Sequence, residues 1–561
     1  MCELFKQHEI FHDDVMRFIQ QKKKMHSRQS HIIYRKILHN NNNSSRCSFS
    51  SRINFNDLIK TNKNDSKRLI LVENLATKNS ISMINGPSLS EHLNVKIDQF
   101  WSWNYRRRNF VLIRLNKIDD VAKIQSICGY NLHALPIRTR MMETNFSTTG
   151  HHSPSKSHYE LGTNFKKSLS CSELKDRFPT NEQLIAHLTE MNSLNELDVQ
   201  LRYFLITQLE DIICHSVFAD FNIYPFGSSL AGLGDSTSDL DLAILHAHQW
   251  RKNRDINFAM PELKSERDQT QQCLSLIADI VRNFMPNISK VNRILRARVP
   301  IVKMSFDLAP IDIDVSIELS PETGHHGLLM ADYLHYCVSQ HPNIKQFLLF
   351  LKYWSKQHGK LIEFSYNLTI YMKFNRFTFP LGVVKSIPGN WFSNFQILVL
   401  AIYFLQNEQI LKPINDIDTT TDDGSEQQQK PVLNTMKMFY SFFEFLVSFN
   451  FEKQGKFVFD HFIIFFYHFF SFLLLISIYI AMSIQTGKSF AKPDFSPLYI
   501  ENPMEPTLNI CKNVSGVEFK KLLLQAYNSL DAMHCTDFHL ANLLDPEYFK
   551  TLEKRNNQSV R

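Results

Sequence analysis

Asp239 and Asp241 stand one residue apart in an apolar run that continues through Leu242, Ala243, Ile244 and Leu245. On a strand, side chains alternate between faces. The two carboxylates therefore point one way, and Leu240 and Leu242 the other. Their separation is about 6–7 Å along the strand, an unfavourable spacing for two charges beside an apolar sheet unless a cation lies between them. Hard oxygen ligands of this kind suit Mg²⁺ or Mn²⁺. Upstream, an apolar strand ends at Phe226 and is followed by Gly227 and Ser228. The glycine lets backbone approach closely, and the amides and hydroxyl beside it can cradle phosphate oxygens. Together the two halves point to metal-assisted chemistry on a triphosphate. A hairpin carrying two merely solvated aspartates is the plainer alternative.

A third carboxylate is available downstream. From Ile311 to Glu318 the chain alternates, with Asp312, Asp314, Ser316 and Glu318 on one face and Ile311, Ile313, Val315 and Ile317 on the other. Both Asp312 and Asp314 are placed to complete a two-metal set. Lys352 and Lys356 stand four apart in an apolar helical segment, so both ammonium groups share a face and can reach one triphosphate.

Gly-Ser, a spacer and Asp-x-Asp resemble the signature of the DNA polymerase β-like nucleotidyltransferases. Asp314-Val315-Ser316-Ile317 fits that family's third-carboxylate pattern. Two further segments narrow the resemblance. Ile387-Pro388-Gly389-Asn390-Trp391-Phe392-Ser393-Asn394-Phe395 and the stretch Ser496 to Val514 resemble the mitochondrial poly(A) polymerases of the terminal nucleotidyltransferase family. The likeness runs, with interruptions, over roughly residues 69–545.

This resemblance implies an α+β chain: a nucleotidyltransferase palm, a helical poly(A)-polymerase-associated domain and an N-terminal module like an RNA-recognition motif. Asp239, Asp241 and Asp314 would be catalytic and would bind two Mg²⁺ (or Mn²⁺) ions. Gly227 and Ser228 would hold the β- and γ-phosphates, and Lys352 and Lys356 would steady the triphosphate. Phe395 would stack on the incoming base. Asn394 stands where many relatives have Ser. His325 and His326 occupy a stretch where relatives have Asn or Ser near the ribose, and His325 reads as a surface-loop residue. The implied reaction adds AMP from ATP to RNA 3′ ends. The nearest rival is a terminal uridylyltransferase, and a non-catalytic RNA-binding or dimerisation scaffold is the rival from another class. The resemblance also implies a mitochondrial matrix location and a homodimer formed through the N-terminal module.

The bulk composition is consistent with this. The chain has 561 residues, enough for two or three domains, and 43% are hydrophobic. Its net charge of +7 permits a polyanionic partner. The nine cysteines form no Cys-x-x-Cys and no Cys/His pair at zinc-ligand spacing, which excludes a zinc site of that kind and reads as reduced thiols.

Along the chain, residues 1–66 read as a disordered leader. From Met25 to Asn56 there is no acid, among many Ser and Asn, in the manner of a transit peptide, and Met25 is a candidate start. Residues 67–142 form the RNA-recognition-like module, with strands at Leu69–Val72 and Phe110–Ile113, a helix at Asp119–Cys128 and a possible last strand at Leu135–Arg138. The stretch Arg108–Ile113 lacks most of the aromatics that base stacking requires, so the module reads as a self-association element. Residues 143–180 read as a linker, 181–320 as the palm, with a charged helical stretch to about Arg298, 321–545 as the helical domain and 546–561 as a tail.

Two stretches interrupt the family pattern, Ile362–Val383 and Phe457–Met482. The second has eight Phe between 457 and 472. Its length would suit a membrane span, but one crossing there would separate Ser496–Val514 from the site it should help build. No stable membrane insertion is expected. Both stretches read instead as translated introns, because thymine-rich sequence encodes Phe, Leu, Ile and Tyr.

Overall fold

The computed structural model describes residues 55–74, 90, 94–127, 139–144, 158–159, 170–215, 217–246, 265–319, 325–357, 389–417, 434–449, 480–494, 496–535, 537–545 and 548. The expected strand at 135–138 and the stretch 362–383 lie outside them, as does 457–479. They fall into two compact units. One is built from Ser50–Ser168 and Glu190–Gln340, the other from Leu169–Thr189 and His341–Arg561, together with the undescribed Met1–Phe49.

The first unit begins with α1 (Phe55–Ser66), inside the segment expected to be a disordered leader. Then follow β1 (Leu69–Asn74), β2 (Ile97–Tyr105), β3 (Arg108–Leu115), α2 (Asp119–Ile127), β4 (Met141–Thr144) and β5 (His158–Tyr159), whose strands form one sheet in the order β4-β1-β3-β2-β5. Both faces of this sheet are covered. Ile70, Val72, Val111, Ile113 and Met142 pack under Val121 and Ile124 of α2. Leu69, Leu71, Trp101, Trp103, Phe110 and Leu112 join the large core of the unit. The Trp103 indole is fully buried, stacks on Phe110 and donates to the Leu308 carbonyl at 3.0 Å.

That large core lies under a second sheet. Its elements are α3 (Glu196–Ile213), β6 (Phe221–Phe226), β7 (Leu240–His246), α4 (Glu266–Phe284), β8 (Ile288–Ile294), β9 (Ile301–Phe306), β10 (Ile311–Ile317) and α5 (His326–Gln340), with strand order β6-β7-β10-β9-β8. The alternation read from sequence holds on β10: Ile311, Ile313 and Val315 are buried, and Asp312 and Asp314 face out. β8 occupies ground expected to be helical. It is the sheet's polar edge, largely exposed, so no apolar alternation marks it. Helix α3 opens on a reciprocal cap, the Asn195 side chain accepting from Asp198 N–H and Asp198 accepting from Asn195 N–H.

In the second unit, α6 (Pro342–Gln357), α7 (Asn394–Asn407), α8 (Thr435–Ser448) and α9 (Gly516–Met533) surround an aromatic core of Phe347, Trp354, Phe404, Phe439, Phe442 and Phe443. A sheet in the order β12-β11-β13-β14 completes it: β11 (Ile480–Ser483), β12 (Lys488–Ala491), β13 (Tyr499–Asn502) and β14 (Glu505–Asn509). Ile480–Met482, expected to end an insert, are part of β11, paired with both β12 and β13. Among the described residues no helix is long and apolar enough to cross a membrane.

Candidate active site

The parallel pairing of β7 with β10 sets Asp241 directly beside Asp314. Asp239 lies two residues before Asp241, half-exposed at the strand entrance. The three carboxylates named from sequence are therefore brought together on the two neighbouring interior strands β7 and β10 and the residue that leads into β7. Asp312 points to Ser305, whose hydroxyl donates to it at 2.7 Å. Of the two candidates for the third carboxylate, Asp314 is the one the fold sets beside Asp241.

Gly227 closes the site from the other side. Phe226 pairs with Asp241 across β6 and β7, and the chain then turns through Gly227 at φ +75° into a single helical turn, Gly227–Leu230. A Cβ on Gly227 would sit 2.0 Å from Asp241 Oδ2. The glycine is required both by its left-handed backbone and by the carboxylate against it. Ser228 is half-buried in the same turn, and the Ser229 hydroxyl donates to the Asp239 carbonyl at 2.9 Å.

The carboxylates are held against their own charge. Burial, with Asp314 and Asp239 close by, raises the Asp241 carboxyl to about 7, and Lys303 only partly opposes this. Burial raises Asp314 as well, against the pull of Lys303. An all-oxygen donor set that resists ionising fits Mg²⁺ or Mn²⁺, which would favour the ionised carboxylates.

The loop joining Gly-Ser to Asp239 is held by a residue the sequence reading passed over. Arg202 of α3 is 2% exposed, and its guanidinium donates to the carbonyls of Asp235, Ser236 and Ser238 at 3.4, 3.3 and 2.8 Å. Asp198 faces it at 3.8 Å. Burial lowers the Arg202 pKa and raises that of Asp198, each countered by the other's charge. A lone Arg within Leu201-Arg202-Tyr203-Phe204-Leu205 was the available signal. Arg202→Ala is expected to cost about 3–5 kcal/mol in urea unfolding, since it strands a buried carboxylate. Arg202→Lys should recover only part of that, because an ammonium cannot span three carbonyls.

His325, read as a surface-loop residue, is the non-helical residue before α5 and is half-buried. Its ring packs 4.6 Å from Phe226, and its Nδ1 accepts from Leu328 N–H, so Nε2 carries the proton towards Ser316 Oγ at 3.2 Å. Burial, with His326 adding to it, lowers its pKa to about 4, so the ring is neutral. It serves to fix α5 against β6 and β10.

Lys352, Lys356 and Phe395 lie in the second unit. Lys352 is 5% exposed whereas Lys356 is exposed, so helical spacing did not give them equal access to solvent. Phe395 is half-buried in the first turn of α7, behind a Ser393/Gln396 capping box. The two family-like segments of this unit meet. Asn513 donates to the carbonyls of Gly389 and Trp391 at 2.8 and 2.9 Å, and Gln396 donates to Asn513 Oδ1 at 2.6 Å. Asn509 accepts from Ile500 and Cys511 N–H and donates to the Leu498 carbonyl. The Asn509 and Asn513 amides of the second segment thus satisfy loop backbone groups of both segments that no regular ladder pairs.

Known proteins resemble this chain over the region that holds the three carboxylates. Residues 181–320 match the family model described as the central palm domain of mitochondrial-like poly(A) RNA polymerase. The mitochondrial poly(A) RNA polymerase of Drosophila melanogaster is 26% identical over 378 residues, 62% of this chain and 53% of that protein. The human enzyme is 27% identical over 366 residues, 61% of this chain and 54% of the relative. The chain thus spans about half the length of the curated relatives it matches. A crystal structure of mtPAP in complex with ATPγS superposes with a TM-score of 0.68 at 22% identity, covering 88% of this chain and 99% of that one. That likeness shows a shared fold of mixed sheets and helices. Over residues 181–320 this chain is thus similar to the central palm domain of mitochondrial-like poly(A) RNA polymerases.

Proposed function

We propose that this protein is a template-independent RNA adenylyltransferase that extends RNA 3′ ends with AMP from ATP. The observation that carries the reading is the register pairing of Asp241 with Asp314, with Asp239 beside them and Gly227 against Asp241. In the reaction the RNA 3′-oxygen forms a bond to the α-phosphorus and the bond to the β-phosphate oxygen breaks. The hydroxyl proton is lost, and pyrophosphate leaves. Asp239, Asp241 and Asp314 would hold two divalent ions, which when bound make the 3′-hydroxyl more acidic and neutralise the leaving pyrophosphate. The chain's own part is alignment. Gly227 keeps the turn close to Asp241, Ser228 is placed in that turn for a phosphate oxygen, and Arg202 fixes the loop that delivers Asp239. Lys352 and Lys356 as triphosphate contacts, and Phe395 as the base platform, belong to the same reading and rest on the family resemblance.

An anionic substrate is supported by charge. From Arg282 to Lys303 the chain has six basic residues and no acid. This run spans the end of α4 and the β8–β9 hairpin, which lies next to the strand of Asp314, and Arg296 and Arg298 are exposed at the hairpin's tip. Reversing both (Arg296→Glu with Arg298→Glu) is expected to weaken RNA binding at least about tenfold and to flatten its salt dependence by roughly two counterions. Fluorescence anisotropy at several salt concentrations checks it.

The N-terminal sheet order β4-β1-β3-β2 supports reading the module as RNA-recognition-like. With both faces covered, it serves as a structural part of the palm unit and can pair with a second copy only through its edges or helices. A homodimer formed there and a mitochondrial matrix location complete the reading; the names of the relatives support the mitochondrial part of it. The deciding experiment extends a labelled RNA oligonucleotide with each of the four NTPs and Mg²⁺. Ladders with ATP support the proposal. Ladders with UTP alone make the protein a uridylyltransferase, and folded protein without extension makes it a scaffold.

A further inference from the structure

Lys303 is not a metal ligand by type, yet it stands where a ligand-bound cation would. It is the cross-strand partner of Asp314 on β9 and β10, so the two side chains share a face. Its Nζ lies 3.1 Å from Asp314 Oδ1 and 3.5 Å from Asp239 Oδ2. Among the described residues, no group of three or more His, Cys, Asp or Glu is gathered closely enough to enclose a metal ion as it stands. The carboxylates are instead disposed around the ammonium.

We propose that Lys303 is the resident counter-cation of the carboxylate trio, bridging Asp239 and Asp314 until a divalent ion displaces it. This rests on the reading of the trio as a metal centre. The ammonium and a divalent ion need the same oxygens, Asp314 Oδ1 and Asp239 Oδ2, and two cations cannot share both at contact distance. The lysine is equipped to leave. Its side chain is one-third exposed, and its four-carbon stem lets the charge swing into solvent. Metal binding then carries the work of breaking the bridge, so the apparent affinity is reduced by the fraction of molecules in which the lysine is already away. In return the three carboxylates keep a positive partner, and the site stays assembled without metal.

The test is Mn²⁺ titration of the full chain, followed by the electron paramagnetic resonance signal of free Mn²⁺, with melting temperatures at zero and saturating Mn²⁺. Lys303→Met is expected to bind Mn²⁺ at least about fivefold more tightly than the parent. It should melt lower without metal and regain most of that loss with it. Lys303→Arg keeps the charge and should stay within about twofold of the parent in affinity. Lys303→Gln, which retains a donor to Asp314, covers the case in which the Met variant fails to fold, and should also bind more tightly. Unchanged or weaker Mn²⁺ binding by Lys303→Met and Lys303→Gln would overturn the displacement. Absence of Mn²⁺ binding in the parent and the variants alike would instead overturn the metal-centre reading, and the displacement with it.

Discussion

Asp241→Asn is expected to lower ATP-dependent RNA extension by roughly 10³-fold or more while making the metal-free protein more stable at neutral pH. The loss follows because an amide oxygen is a poor ligand for a hard cation and removes one of three converging charges. The gain follows from linkage. The Asp241 carboxyl is raised from its usual 3.8 to about 7 by burial first, then by Asp314 and Asp239. An acid whose folded pKa is raised favours the fold fully only below its unfolded pKa. That contribution drains away as pH rises from about 4 to about 7 and is gone above it. Three units correspond to at most about 4 kcal/mol. Asn cannot ionise, so the variant should match the parent near pH 4 and exceed it increasingly up to pH 8. Thermal melts across that range, in chelator, read the second effect, and a gel of extended oligonucleotide reads the first. A variant that is both inactive and less stable at pH 8 would show that Asp241 is held by structure and not against its own charge.

Gly227→Ala should be nearly as damaging to extension and, unlike Asp241→Asn, destabilising. Two effects add. The residue sits at φ +75°, a region L-residues occupy at a cost of roughly 1–2 kcal/mol. The new methyl would also stand 2.0 Å from Asp241 Oδ2 and 3.0 Å from its Cγ. Either the carboxylate leaves the trio or β6 and β7 part, and overpacking of this kind costs about 1–3 kcal/mol more. The total, about 2–5 kcal/mol, should appear in urea unfolding. Gly232→Ala is the control. It has a similar φ of +79°, but its Cβ would meet only Val338 Cγ2 at 3.6 Å. It should carry the backbone strain alone, and extension should survive. Equal losses from both would mean that left-handed geometry, and not the contact with Asp241, is what the Gly-Ser turn needs.

Much of the site was legible because its information is local. Alternation with period two placed Asp239 with Asp241, and Asp312 with Asp314, from the chain alone. A glycine at a strand end announced the turn at Gly227. The segments Ile387–Phe395 and Ser496–Val514 were visible through the family resemblance, and the Asn513 bonds that join them were not. Less was legible where polarity hid the pattern. β8 is an exposed edge strand carrying Lys290, Asn292 and Arg293, so nothing in it alternates. α1 has only Phe55, Ile59 and Ser66 buried, too sparse a stripe to stand out from a polar segment. The aromatic strand β2 was overlooked because Trp101 and Trp103 serve a core shared with distant segments.

What the sequence by itself determined is therefore the inventory: three aspartates, a Gly-Ser turn, and the strands that carry them. Alternation left Asp312 and Asp314 both open, and the family resemblance favoured Asp314. The tertiary structure sets Asp314 directly beside Asp241, because strand register depends on pairing across some seventy residues. It also decided that Arg202 reaches three loop carbonyls and that the N-terminal sheet has no open face. It set Lys303 between Asp239 and Asp314. These are long-range juxtapositions, fixed when β7, β9 and β10 assemble over one core, and no local periodicity encodes them.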